Sequence, residues 1–252
     1  PRSQYSSILI DEGHDFEAEW FKLIVYMLDP VTDSLLLVYD DVQSIYRRKK
    51  PKSWASVGIN VPGKRSKILK LNYRNTAEAI NFAYGFVSDF LDSTKSSETT
   101  PIVEPEQGLR HGKTPLIKEF SCFSEEIHFL SEQFSDLSKS GTPLSSIAVL
   151  CRFNQQVDQV CRELRKRGIE ARSTLNDKSR SDAVRVLTMH SSKGLEFHTV
   201  AIPDIGCMPC KDADVADEAR VLYVAMTRAI EQLFLTFHSN SEFTKKLSSK
   251  DL

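Results

Sequence analysis

The stretch Val184-Arg-Val-Leu-Thr-Met-His-Ser-Ser-Lys-Gly-Leu-Glu-Phe-His-Thr-Val-Ala-Ile202 decides the fold. A short apolar run, Val184 to Leu187, leads into a polar loop containing a glycine. A second apolar run, Thr199 to Ile202, follows. Two buried strands joined by such a loop belong to an α/β sheet, which presents groups to a ligand from loops at the carboxyl ends of its strands.

The same alternation of short apolar strands and helical stretches extends outward in both directions. Upstream, 7–10 is a strand candidate ending in acidic residues, and 35–38 is a second one, again ending in Asp. Between them, 16–28 carries Trp20, Phe21, Ile24, Val25 and Leu28 at helical spacing. A third strand is expected at 68–71. Thr76 then caps a helix whose apolar face is Ala79, Ile80, Ala83, Phe86, Val87 and Phe90. Residues 92–115 are rich in Ser, Thr, Pro, Glu and Gly and read as a long surface loop. Beyond them Ser124 caps a helix bearing Ile127, Leu130, Phe134 and Leu137, which stops near Gly141. A strand is expected at 146–150. Asn154 opens a helix bearing Val157, Val160, Cys161 and Leu164, which Gly168 ends. The opening strand pair follows, then a helix over 221–229 and a strand at 233–237. This series makes one complete α/β lobe.

A chain of 252 residues, 40% hydrophobic, can bury a good core in one or two domains. No apolar run is long enough to span a bilayer, and nothing at the amino end reads as a signal peptide. The formal net charge of −1 does not announce a nucleic-acid binder, so such binding has to come from local patches. One candidate is Arg47-Arg-Lys-Lys-Pro-Lys52 with Lys64, Arg65 and Lys67, which also reads as a solvated loop. Arg162, Arg165, Lys166 and Arg167 suit the wet face of a helix. Five cysteines, an odd count, argue against a disulfide framework. Cys207-Met-Pro-Cys210 has the spacing of redox and metal sites, but zinc would need a second ligand pair at similar spacing.

Four further patterns surround the opening loop in a fixed order: Ile8-Leu-Ile-Asp-Glu-Gly-His-Asp15, Leu35-Leu-Leu-Val-Tyr-Asp-Asp-Val-Gln-Ser-Ile-Tyr46, Leu71-Asn-Tyr-Arg-Asn-Thr76 and Glu218-Ala-Arg-Val-Leu-Tyr-Val-Ala-Met-Thr-Arg-Ala229. Together with Thr188–Phe197 they resemble the later motifs of the UvrD/Rep family of superfamily 1 DNA helicases. The resemblance implies an α/β, RecA-like parallel sheet with helices on both faces. Residues 1–66 would be the C-terminal fragment of a first lobe, and 67–252 a complete second lobe. Fewer than twenty residues separate Arg172 from Val184, so no large accessory domain is inserted before the loop.

The resemblance implies an ATP-dependent helicase or translocase moving 3′ to 5′ on single-stranded DNA, with ATP and Mg²⁺ as ligands. Asp11 would hold Mg²⁺ and Glu12 would be the general base, with His14 standing where glutamine is frequent. Gln43 would sense the γ-phosphate, since an amide can donate to phosphate and accept from water at once. Tyr73 would stack on adenine, Arg74 and Arg228 would meet the γ-phosphate, and Glu196 would contact the ribose. Guanidinium suits that task because it stays charged and offers parallel donors. His190 and Ser191 would touch the strand's backbone, and Arg47 would add charge. The family's base-stacking aromatic is absent from its usual place, so Trp54 either stacks on DNA or packs under its own loop. Tyr39 stands where the family has glycine.

No GxxxxGK[ST] phosphate loop occurs: Gly63-Lys-Arg-Ser66 lacks the upstream glycine. The chain therefore reads as the C-terminal part of a longer cytoplasmic protein, with an N-terminal lobe of the same protein as partner and no membrane. The fragment alone would be inactive. A non-hydrolysing DNA-binding or scaffold relative is the alternative, suggested by Tyr39, His14 and Arg48.

Overall fold

A computed structural model describes residues 4–40, 43–45, 51–61, 67, 69, 72–91, 110–173 and 182–249. The chain forms two compact units, one from the described residues up to 69 and one from those beginning at 72.

In the first unit, β1 (Ser7–Ile10) pairs in parallel with β2 (Ser34–Leu37), and α1 (Ala18–Met27) connects them. Period-two alternation sends Ile8, Ile10, Leu35 and Leu37 to one face. There they pack with Phe21, Val57 and Ile59. Leu9 and Leu36 lie on the other face, each more than half exposed. Gly13 lets the chain leave β1 close to β2: a Cβ there would sit 2.3 Å from Leu37 Cδ1, which would have to move aside. Of the third strand expected at 68–71 only Leu69 is described, exposed and outside any strand; the rest of it and Gly63–Ser66 lie outside the described residues.

The second unit is a six-stranded, wholly parallel sheet. Its strands are β3 (Leu116–Glu119), β4 (Ile147–Cys151), β5 (Ala171–Arg172), β6 (Val184–Thr188), β7 (Phe197–Ile202) and β8 (Ala229–Phe237), in spatial order β3-β8-β7-β4-β6-β5. The central strand β4 is buried at every position, as a strand covered on both faces should be. The helices are α2 (Ala77–Leu91), α3 (Phe123–Lys139), α4 (Asn154–Lys166), α5 (Val215–Met226) and α6 (Glu242–Leu247). Residues of α3, α4, β4 and β6 close one core around Phe134 and Leu164. Phe86, Phe90 and Phe243 join α2 to α6 through ring contacts of about 5 Å.

Several expectations need correction. The helix that Ser124 was expected to cap starts at Phe123, with Cys122 in the cap position, two residues before the expected cap, and Ser124 Oγ instead accepts from Arg167 Nη2 at 2.9 Å. The helix expected at 221–229 begins at Val215, because Asp214 accepts from the backbone N–H of Asp217 and starts the turn there. Its chain then turns into β8 at Ala229, four residues before the expected strand. β3, β5 and α6 were not expected. Residues 110–115 are irregular, as read, and 92–109 lie outside the described residues.

One buried ion pair ties the centre of the sheet to α5. Arg152, just after β4, donates to both oxygens of Glu218 at 2.7 and 3.1 Å. The Cys210 backbone N–H adds a third hydrogen bond at 3.3 Å. Burial alone would raise the Glu218 carboxyl, but the donors from Arg152 and Cys210 outweigh it and hold it below its ordinary 4.5.

Two outcomes are expected. Phe134→Ala empties a fully buried position and should cost about 3–5 kcal/mol in urea unfolding; a loss near zero would contradict the core assignment. Glu218→Ala should cost about 3 kcal/mol at pH 7 by leaving the Arg152 charge short of its partner. A depressed carboxyl stabilises above its unfolded pKa and loses that contribution as pH falls through the folded value. The difference between wild type and Glu218→Ala should therefore shrink below pH 4.5. A difference that grows with acid would contradict this sign.

Candidate functional site

In the second unit, parallel pairing puts every strand's amino end on one edge of the sheet and every carboxyl end on the other. The loop 189–196 leaves the carboxyl end of β6 and enters the amino end of β7. It therefore spans both edges instead of lying at the carboxyl ends alone, which corrects the simplest reading of the sequence.

Tyr73, Arg74, Glu196 and Arg228 come together at the amino edge. The turn before α2 is built by Asn72, whose Oδ1 accepts from the backbone N–H groups of Arg74 (2.8 Å) and Asn75 (3.0 Å). Thr76 Oγ1 accepts from Ala79 N at 3.4 Å and caps the helix. This turn leaves the Tyr73 ring exposed. Arg74 Nε lies 2.5 Å from Glu196 Oε1, a pair open enough to solvent to position the groups with little effect on stability.

Arg228 is buried at 3% exposure. Its Nε donates to Val224 O (3.0 Å), Nη1 to Leu195 O (3.4 Å) and Nη2 to Thr227 Oγ1 (3.2 Å). The guanidinium thus rests on the carbonyl-rich end of α5, where a cation is favoured. Its own carbonyl accepts from Phe197 N at 3.0 Å, beside Glu196.

At the carboxyl edge are His190 and Ser191, in a short 3-10 turn. Thr188 Oγ1 holds the turn, lying 2.8 Å from Ser191 Oγ and accepting from Ser191 N at 3.1 Å. Burial, reinforced by the Arg152 charge, pushes His190 below the ordinary imidazole value.

In the first unit, His14 organises the carboxyl ends of β1 and β2. It is buried at 3% exposure. Its Nε2 lies 2.9 Å from Glu12 Oε2, and its Nδ1 accepts from Asp40 N at 3.2 Å. Asp40 Oδ2 in turn accepts from Gln43 Nε2 at 2.8 Å. Glu12 and Gln43 are so joined through one network, and His14 supplies a rigid bridge. Tyr39 packs edge-on against His14 and Trp54 (6.0 and 5.2 Å between ring centres). Trp54 also meets Phe21 edge-on at 5.5 Å. Trp54 thus packs under its own loop while part of its ring stays accessible. Arg47 lies outside the described residues.

Asp11 accepts from Glu12 N at 2.8 Å, and together the two carboxylates offer the hard oxygen donors that Mg²⁺ takes. Two further groups among the described residues bring ligand-type atoms within 4.8 Å of one another: Glu12, His14 and Asp15, and Glu126, Asp204 and His238. The second is a hydrogen-bonded knot. Fully buried Glu126 accepts from Thr236 Oγ1 (2.5 Å) and Asp204 N (2.9 Å), and it faces His238 Nδ1 (2.5 Å). Burial raises the Cys207 and Cys210 thiols to about 12 and about 11, the opposite of what a reactive thiolate needs.

Asn75, Arg152 and Glu218 escaped sequence reasoning. Only the polar character of Asn75 and Glu218 inside quoted motifs hinted at a role.

Comparison with known proteins matches the profile of the UvrD-like helicase C-terminal domain over residues 68–175 and 171–240. A probable DNA helicase of Mycoplasma pneumoniae is 24% identical over 94% of this chain and 44% of its own length. The mitochondrial ATP-dependent DNA helicase HMI1 of Saccharomyces cerevisiae is 26% identical over 73% of this chain and 27% of its own. The chain thus spans less than half the length of these relatives. The crystal structure of the C-terminal domain of a possible DNA helicase from Lactobacillus plantarum superposes with a TM-score of 0.55 at 17% identity, covering 71% of this chain and 96% of that one. It shares the α/β fold. The profile covers more than half of the residues, and the chain belongs to the UvrD-like helicase C-terminal domain family.

Proposed function

We propose that this chain is the C-terminal part of an ATP-driven motor that moves 3′ to 5′ along single-stranded DNA. The observation that carries the reading is the gathering of Tyr73, Arg74, Glu196 and Arg228 at one edge of the sheet, with His190 and Ser191 at the other. One loop, 189–196, links the two groups. A shift of that loop at the nucleotide edge is carried to the DNA edge, and a motor needs such a link.

ATP hydrolysis transfers a phosphoryl group to water, and catalysis rests on positioning and on charge neutralisation around the γ-phosphate. Arg74 and Arg228 supply that charge, Tyr73 stacks on the adenine and Glu196 meets the ribose. To reach a phosphate, Arg228 exchanges its carbonyl partners for phosphate oxygens, and Arg74 exchanges Glu196. Glu12, steadied by His14, orients the attacking water, and Gln43 senses the γ-phosphate. Asp11 would hold Mg²⁺, whose chemistry is to neutralise phosphate charge. His190 donates a hydrogen bond to the DNA backbone.

In the full-length protein, Arg228→Ala should lower DNA-stimulated ATP turnover on the order of 10³-fold. Binding of a fluorescent ATP analogue should stay near the wild-type level, with Glu12→Gln as the inactive reference. Turnover unaffected by Arg228→Ala would remove the assigned role. A wild-type protein without turnover would leave the scaffold reading in its place.

A further inference from the structure

The two phosphate arginines come from segments about 150 residues apart in sequence, yet one buried side chain fastens them together. Asn75 is 2% exposed. Its Nδ2 donates to Thr227 O at 2.8 Å and to Ala229 O at 2.6 Å, the carbonyls on either side of Arg228. Its Oδ1 accepts from Asn72 Nδ2 at 3.0 Å, and Asn72 Oδ1 holds the Arg74 and Asn75 N–H groups. The Phe197 N–H to Arg228 carbonyl bond and the Arg74–Glu196 pair close the ring.

A neutral amide is well suited to this position. One Nδ2 offers two N–H donors to two carbonyls, while Oδ1 accepts from a neighbour. A hydroxyl can serve only one of these carbonyls, and a carboxylate would repel both. The carbonyl of Thr227 belongs to the end of α5, where the helix itself leaves acceptors unpaired. Because Asn75 and its bonds to the Thr227 and Ala229 carbonyls are buried, losing either bond leaves a desolvated polar group behind.

We propose that Asn75 is a positioning residue for ATP hydrolysis, setting the spacing of Arg74 and Arg228 so that both meet one phosphate. The inference rests on the reading of these two arginines as γ-phosphate groups. Asn75 acts through the backbone on either side of Arg228. Misplacing a charged group by about 1 Å is enough to cost a large factor in rate.

The test measures DNA-stimulated ATP hydrolysis by the full-length protein as wild type, Asn75→Ala and Asn75→Ser. Thermal melting establishes folding, and a fluorescent ATP analogue reports nucleotide affinity. Asn75→Ala should lower kcat between about tenfold and a hundredfold with analogue affinity retained, and Asn75→Ser, keeping one donor, should fall between. An unchanged kcat in a folded variant overturns the proposal. So does a parallel loss of kcat and affinity, or failure of both variants to fold, since each assigns Asn75 to structure alone. A wild type without turnover removes the functional reading itself, an outcome distinct from the others.

Discussion

Parallel pairing is the constraint on which the site depends. β6 and β7 run the same way with β4 between them, so the chain leaving β6 must return along the whole sheet to enter β7. Parallel connections normally use a crossover of a dozen or more residues, generally with a helix. Here only the eight residues 189–196 make the journey. A five-residue strand runs about 16 Å, and eight residues reach at most about 29 Å. A 3-10 turn and a left-handed Gly194 (φ +76°) use part of that reach. The loop's two ends are thereby joined across the sheet by a single short connection.

Each end of this short connection is fixed by polar groups from distant elements. Glu196 pairs with Arg74 at the amino edge, and the Arg152–Glu218 pair anchors the end of β4 beside His190 at the carboxyl edge. Asn75 does for the arginines what His14 does for Glu12 in the first unit. In both units the residues read as chemical are exposed or half-exposed, or are folded back on carbonyls. The residues that place them are buried and hydrogen-bonded. Such buried polar networks specify geometry because a partly satisfied arrangement costs more than a complete one.

Much of this was legible in the sequence, for a definite reason. β1, α1, β2, β4 and β6 each carry their own apolar pattern, and the loops that follow carry unusual polar strings. β3 escaped because Leu-Ile-Lys-Glu is a short, mostly exposed edge strand with no apolar run. β5 is two residues long and needs β6 to exist at all. Long-range polar partnerships were illegible: Asn75 finds its acceptors 152 and 154 residues away, and Arg152 finds Glu218 at a separation of 66. No local period records such a pairing. Tyr39 reads in the sequence as a departure from the family pattern; in the fold it joins Trp54 and Phe21 in one aromatic cluster.

The most direct measurement is a crystal structure of the full-length protein bound to a non-hydrolysable ATP analogue. The guanidinium groups of Arg74 and Arg228 are expected at hydrogen-bonding distance from the same terminal phosphate, with Arg228 released from the carbonyls of Val224 and Leu195. An analogue bound with Arg228 still folded on those carbonyls, or bound to a surface lacking Tyr73 and Arg74, would contradict this expectation.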